Sequence, residues 1–433
     1  MISIQRLIAI ILGLVVISVY YFPVELAIFP VTNTKNLLAG LGVLIAIAVI
    51  SRYRSASVDK GLVSLIGLAL LISLAGLLAV AYNSTNDYTY AQYARPFITW
   101  LSAAYAAVFL IRQLHGRISV EILCNYFIAM CVLQCISVLL IDNYPAIRNW
   151  VHSTFLGLDY YRNIDRKYGI GPSLDVGGTR FAAVEIMAAF MIHKKQAAQE
   201  NKMMIVYIAA LLFILVVGNM VARTTTTGAI VALAYLVWMN KEKLYNISKN
   251  SQFWKNLIGV TVIGIIAITY FYNHNAAFRE NFRFAFEGFF SWWETGKWQT
   301  TSTDAWEKMI IWPDNMKTWL IGDGYFNGPT GNDPYYVGPS NPGFYKWTDI
   351  GYLRFIYYFG MLGLLLFIGF FIKATHICVS RFARYKYMFI FFCLLNMVIW
   401  FKVSTDVFIV FAPFLCITQE ENEEYERLVK GEG

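Results

Sequence analysis

GLVSLIGLALLISLAGLLAVAY, Gly61 to Tyr82, contains no charged side chain, and its polar groups are Ser64, Ser73 and the terminal Tyr82. As a helix rising 1.5 Å per residue it reaches about 30 Å, the thickness of a bilayer's hydrocarbon core. A helix apolar on every side is either a membrane span or the core of a very large protein. Moving outward, comparable runs recur at Ile4–Phe22, Leu37–Ile50, Pro96–Ile111, Ser119–Ile141, Arg180–His193, Met203–Ala222, Thr224–Met239, Asn256–Asn273, Ile350–Ile372, Tyr387–Phe401 and Val407–Thr418. Several are shorter than the roughly 20 residues of a straight span, as expected beside a water-filled cavity. The fold class expected is an all-α polytopic membrane protein, a single integral domain over 1–433 with about twelve spans.

Composition agrees. Of 433 residues, 58% are hydrophobic and 14% charged, too few charges to cover a soluble surface. Aromatic residues make up 17%, and Trp and Tyr suit the lipid–water boundary. Met1–Phe22 has an apolar run too long for a signal peptide and no small-residue cleavage site after it, so it reads as an uncleaved first span.

The formal net charge of +8 is distributed by loop. Alternate connections carry Arg52, Arg54 and Lys60; Arg112 and Arg117; Lys194, Lys195 and Lys202; Lys241, Lys243, Lys249 and Lys255; then Lys373, Arg381, Arg384 and Lys386. The intervening short connections hold only Lys35, Arg95, Arg223 and Lys402. The positive-inside rule puts the first set and both termini in the cytoplasm, and no nucleic-acid partner is needed to explain the charge. Two long outer connections follow, Asp142–Thr179 and a large loop, 274–349, between the ninth and tenth spans. In the large loop, Asp304–Leu320 reads as a helix broken near Pro313, and Gly322–Trp347 as irregular chain. Residues 419–433 read as a short charged cytoplasmic tail. The six cysteines avoid the predicted outer loops, so no structural disulfide is expected, and the five histidines lack metal-ligand spacing.

Charge is expensive near a bilayer, which singles out three places. Arg180 follows Gly177-Gly178-Thr179 at the outer start of the sixth span, and Arg223 precedes a Thr run in a very short outer turn. Each guanidinium either snorkels to lipid phosphate or belongs to a paired clamp on phosphate or pyrophosphate, whose oxygens match the planar fork. On the second reading, Gly177 and Gly178 would let a bulky head group approach. Asp349, in Trp347-Thr348-Asp349-Ile350-Gly351-Tyr352-Leu353-Arg354, sits where the large loop re-enters the membrane. It is either a helix cap or a carboxylate poised as general base, with Arg354 a few residues on. Gly322-Asp323-Gly324 lacks the strand–helix context of a dinucleotide site. The Trp-rich loop suits sugar stacking and head-group packing equally.

These segments resemble the bacterial O-antigen polymerase (Wzy) family and the related O-antigen ligases. The resemblance runs through the second half of the chain, over Gly178-Thr179-Arg180-Phe181, the Arg223 turn, Trp319 to Tyr325, Thr348 to Arg354, and Phe359-Gly360-Met361-Leu362-Gly363. It implies a glycosyltransferase of the multi-spanning, lipid-linked-donor type that needs no cofactor. Such an enzyme moves a growing glycan from undecaprenyl pyrophosphate to a lipid-linked repeat unit at the periplasmic face of the inner membrane. The implied partners are that donor and acceptor, membrane lipids and a chain-length regulator protein. The implied roles are pyrophosphate binding for Arg180 and Arg223, catalysis for Asp349, and substrate contacts for Arg354, Tyr352, Arg279, Arg283, Gly322 and Gly324. Ligases commonly carry His where this chain has Asp349, which favours the polymerase. The rivals are a ligase acting on lipid A core and a lipid-linked oligosaccharide flippase.

Overall fold

The computed structural model describes residues 4–52, 59–162, 166–244, 251–300, 306–329 and 343–430. Arg54, Lys249, Asp304 and the middle of the 322–347 stretch lie outside the described residues. The chain opens with α1 (Ile4–Tyr21), α2 (Thr34–Arg52), α3 (Lys60–Asn83), α4 (Ala94–His115) and α5 (Val120–Asn143). Two short helices, α6 (Pro145–Thr154) and α7 (Asp159–Arg162), precede α8 (Leu174–Ala197), α9 (Asn201–Val221), α10 (Thr224–Leu244) and α11 (Ser251–His274). The large loop contains α12 (Ala276–Ala285), α13 (Glu287–Thr295) and α14 (Met316–Leu320). The chain closes with α15 (Gly351–Arg381), α16 (Lys386–Ile399), α17 (Phe408–Leu415) and α18 (Gln419–Lys430).

Among the described residues, eight helices are long and apolar enough to cross a membrane: α1 to α5, α9, α11 and α15. The remaining four of the twelve predicted runs, α8, α10, α16 and α17, differ in character. α8 is buried from Gly177 to Ile192 and carries Arg180 and Glu185 inside, so neighbouring helices surround it. α10 packs along it, because Gly228 leaves no room between them: a Cβ there would come within 2.2 Å of Ala182 Cα. Small residues at crossings let membrane helices approach in this way. At 1.5 Å per residue, α16 and α17 reach only about 21 and 12 Å and are joined by the 400–407 loop. An aromatic cluster holds this region together. The Trp400 ring lies 4.8 Å from Phe355 and 5.0 Å from Phe367, each such pair contributing roughly 0.5–1.5 kcal/mol beyond burial.

The bundle has two chemically distinct ends. At one, Asp59 pairs with Arg381 at 2.6 Å and Arg112 with Glu421 at 2.6 Å. Arg384 pairs with Glu426, and the Val120 N–H donates to Asn422. The expected polar tail is therefore a helix, α18, docked on the basic loops. The other end gathers the starts of α8, α10, α15 and α17. A small antiparallel sheet lies there too, with Glu25–Leu26 between Phe29–Asn33 and Phe155–Leu156. It ties the first connection to the Asp142–Thr179 segment, which the sequence reading left as a plain loop.

Candidate functional site

α8 begins at Leu174, and its second turn carries Arg180. The preceding glycines serve contact between helices: a Cβ on Gly178 would come within 2.7 Å of Ala222 Cβ and 3.1 Å of Thr224 Cβ. Their smallness admits the α9–α10 turn, where the sequence reading expected a head group. Held this closely, Thr224 donates to Asp175 Oδ1 at 2.8 Å, and Lys402 Nζ reaches Asp175 Oδ1 at 3.3 Å and Thr224 Oγ1 at 3.2 Å. Thr179 and Thr405 share a hydrogen bond of 2.8 Å. The 400–407 loop is thus pinned to the start of α8. It is also held against α15, where the Tyr352 N–H donates to Trp400 O and a Cβ on Gly351 would meet Val403 O at 2.6 Å.

Arg180 does not snorkel. It is 5% exposed, with the rings of Phe22, Tyr21 and Trp100 at 5.6, 5.8 and 5.9 Å from its Cζ. The Tyr21 hydroxyl donates to the Arg180 backbone carbonyl at 2.9 Å. Arg180 Nη1 is buried and, among the described residues, has no hydrogen-bond partner. A guanidinium held this way keeps donor capacity for an incoming anion, and the helix starts nearby add positive partial charge.

No family model, curated protein or solved structure matches this chain. The reading of the site therefore rests on its geometry.

Asp349 lies just before α15, but Ile350 is the capping residue and the helix start receives no side-chain cap, so the capping reading does not hold. The Asp349 carboxyl is raised to about 6, by burial first and then by Asp175, with Arg354, Lys402 and Arg166 pulling it down. That value suits proton transfer near neutral pH. Arg354 lies 4.0 Å from Asp349, too long for a hydrogen bond. Its Nη1 donates to Ser404 at 2.8 Å, and its Nη2 to Phe326 O at 3.1 Å and Asn327 at 3.2 Å. The Phe326 and Phe344 rings stack on it at 3.6 and 4.0 Å. Arg354 therefore ties the large loop to the 400–407 loop and flanks Asp349.

Arg223 is engaged elsewhere. It forms an ion pair with Glu287, donates to Phe284 O at 3.2 Å, and lies 4.4 Å over the Phe284 ring. The expected Arg180–Arg223 pair is not a single fork in this structure, because Arg223 serves the α12–α13 junction. Arg166, 5.6 Å from the Phe284 ring, is a positive charge felt by Arg223, Asp175 and Asp349.

The other candidates lie apart. Tyr352 donates to Met397 O at 2.9 Å and packs on Phe401 and Trp400. Arg279 is exposed on α12, and Arg283 pairs with Glu294 at 2.7 Å. Gly322 and Gly324 have φ of 84° and 73°, a region glycine enters freely. They let the loop cross the break in α15 at Phe359–Gly360, where the Asp323 N–H donates to Tyr357 O. Their role is in the backbone crossing.

The sequence reading missed Asp175, Arg166, Asp406 and Glu185, and used Lys402 only for topology. Lys402 and Asp406 stand close together in the short link between two weak spans, which was the available signal. Glu185, buried in α8 five residues after Arg180 with neither carboxyl oxygen hydrogen-bonded among the described residues, is an ionisable group inside the bundle. An apolar cavity of about 410 Å³ runs along the bundle between α8, α9, α10 and α11. It is lined along α10 from Thr226 to Asn240, a stretch of about 21 Å.

Proposed function

We propose that this chain is a lipid-linked-donor glycosyltransferase, a surface-polysaccharide polymerase of the inner membrane. The Arg180 end faces the periplasm, the chain crosses the bilayer about twelve times, and the docked tail is cytoplasmic. The observation that carries this reading is Arg180: buried, ringed by aromatics, with Nη1 unpartnered among the described residues, on the same helix as Asp175 of the Lys402–Asp175–Thr224 cluster, whose charges reach Asp349. A cationic, dry pocket stabilises a departing pyrophosphate. The apolar cavity, which begins at Thr226, two residues from Thr224, suits a lipid-borne substrate.

In the transfer, the acceptor sugar hydroxyl oxygen attacks the anomeric carbon of the donor glycan. The bond from that carbon to the pyrophosphate oxygen breaks. The hydroxyl proton passes to Asp349, and undecaprenyl pyrophosphate leaves against Arg180 and Lys402. Arg354 keeps the Asp349 loop in position.

The test is the glycan ladder of a strain lacking the protein. Accumulation of single repeats on the cell surface supports the polymerase. Lipid-carried polymer that never reaches its acceptor favours a ligase. One observation favours transport as a second reading: Glu185, a buried carboxyl inside a span, is the kind of group that couples ion movement to a flippase. Cytoplasmic accumulation of lipid-linked repeats would favour it.

A further inference from the structure

α13 carries Phe289, Trp292 and Trp293 at positions i, i+3 and i+4, which place them on one face of a helix. They are 54%, 58% and 84% exposed. The helix's other side bears Glu287, Ser291 and Glu294. Other tryptophans of the large loop have partners: Trp312 and Trp319 stack on each other at 5.9 Å, and Trp306 donates to Phe401 O at 2.9 Å. Trp298 folds back against Phe289 at 4.9 Å. The outward face of α13 is therefore an exposed aromatic patch, on which Phe289 also meets Trp298 and Trp292 and Trp293 point away from the bundle core.

Its position indicates what covers it. α11 is one of the apolar helices, and none of its apolar window is buried inside the protein, so its surface meets lipid. α12 starts after the single residue Asn275, at the depth where α11 ends. The Tyr270, Phe271 and His274 side chains at that end continue into Phe278, with Phe271 and Phe278 rings 5.7 Å apart. The lipid-facing surface of α11 thus runs on into α12 and α13. Short amphipathic helices with aromatic apolar faces lie in the plane of the lipid–water interface.

α13 is also tied to the polar cluster. Glu287, at its first turn, pairs with Arg223, and Phe284, just before it, supplies both a carbonyl and a ring to the same guanidinium. Phe286 and Phe289 form the end of the apolar cavity.

We propose that α12 and α13 form a lid seated in the lipid–water interface at the Arg180 end of the bundle. The face bearing Phe289, Trp292 and Trp293 is immersed, and the Glu287–Arg223 pair is the latch that holds the lid over the cavity. This goes beyond the polymerase reading, since it assigns the aromatic face to lipid rather than to sugar.

The experiment uses the full chain in phospholipid nanodiscs with a nitroxide at Trp293→Cys, corrected for label on the unmutated parent. A second nitroxide at the exposed Asp314→Cys is the aqueous reference. Oxygen, which concentrates in the bilayer, should collide with the 293 label more than a water-soluble nickel chelate does, and the 314 label should show the reverse order. A 293 label as open to the chelate as the 314 label overturns the seating, including the sugar-stacking alternative's exposed tryptophan being correct instead. Glu287→Gln in the same background should loosen the lid, seen as a more mobile 293 spectrum. An unchanged spectrum overturns the latch.

Discussion

Arg180→Lys keeps the positive charge and removes the planar fork, and its effect follows from how Arg180 is held. Three rings lie within 6 Å of the guanidinium, and Nη1 has no partner among the described residues. A cation–π contact contributes about 0.5–1 kcal/mol when exposed and about 2 when desolvated. Lysine retains part of each contact, so we predict a folded protein that inserts normally. The functional loss is larger. A charge-assisted hydrogen bond to a transition-state oxygen in a dry site is worth about 3 kcal/mol, which converts to roughly a hundredfold in rate. Arg223→Lys should behave differently, because Glu287 and Phe284 O already engage its fork. We predict less than about a tenfold loss there. The assay is glycan extension by purified protein in proteoliposomes, at protein amounts matched by immunoblot. Near-normal extension by Arg180→Lys would remove Arg180 from the reaction. A larger loss at Arg223 than at Arg180 would restore the paired clamp expected from sequence.

Three further outcomes are expected. Asp349 accepts a proton only when ionised, and its carboxyl is raised to about 6, so extension should slow as pH falls through about 6; Asp349→Asn should be nearly inactive with a flat profile, and an unaltered profile in that variant would exclude Asp349 as the base. Extension should persist in EDTA, because Arg180 and Lys402 are the proposed stabilisers of the leaving group; loss on chelation with recovery on added Mg²⁺ would assign that role to a metal. Gly228→Val puts a branched side chain where even a Cβ lies 2.2 Å from Ala182 Cα, so α8 and α10 must separate. Detergent-solubilised Gly228→Val should lose several degrees in Tm, and an unchanged Tm would mean that this contact is not close.

The sequence made the long apolar helices legible because a span is a local property: composition within about 20 residues decides it. α1, α3, α5 and α9 fall close to the predicted runs. α8 was harder. Its run reads as starting at Arg180, yet the helix begins at Leu174, because polar Asp175 and Thr179 find partners in Thr224, Lys402 and Thr405. Those partners lie far away in the chain, as does Tyr21, whose hydroxyl meets the Arg180 carbonyl. The site residues were found one at a time as costly charges, and their grouping depended on such distant pairings. Arg180, Asp349 and Arg354 were visible on that ground. Asp175 was not, because an acidic residue in the first turn of a helix is ordinary. The tail looked merely charged, and distant partners such as Arg112, Arg384 and the Val120 N–H reveal it as a docked helix.

The polymerase reading is tested most directly by purified protein in liposomes supplied with one lipid-linked repeat unit and no nucleotide sugar. A polymerase should build a ladder of glycans and release one undecaprenyl pyrophosphate for each new glycosidic bond. Repeats that cross the liposome membrane without ever being joined would contradict it.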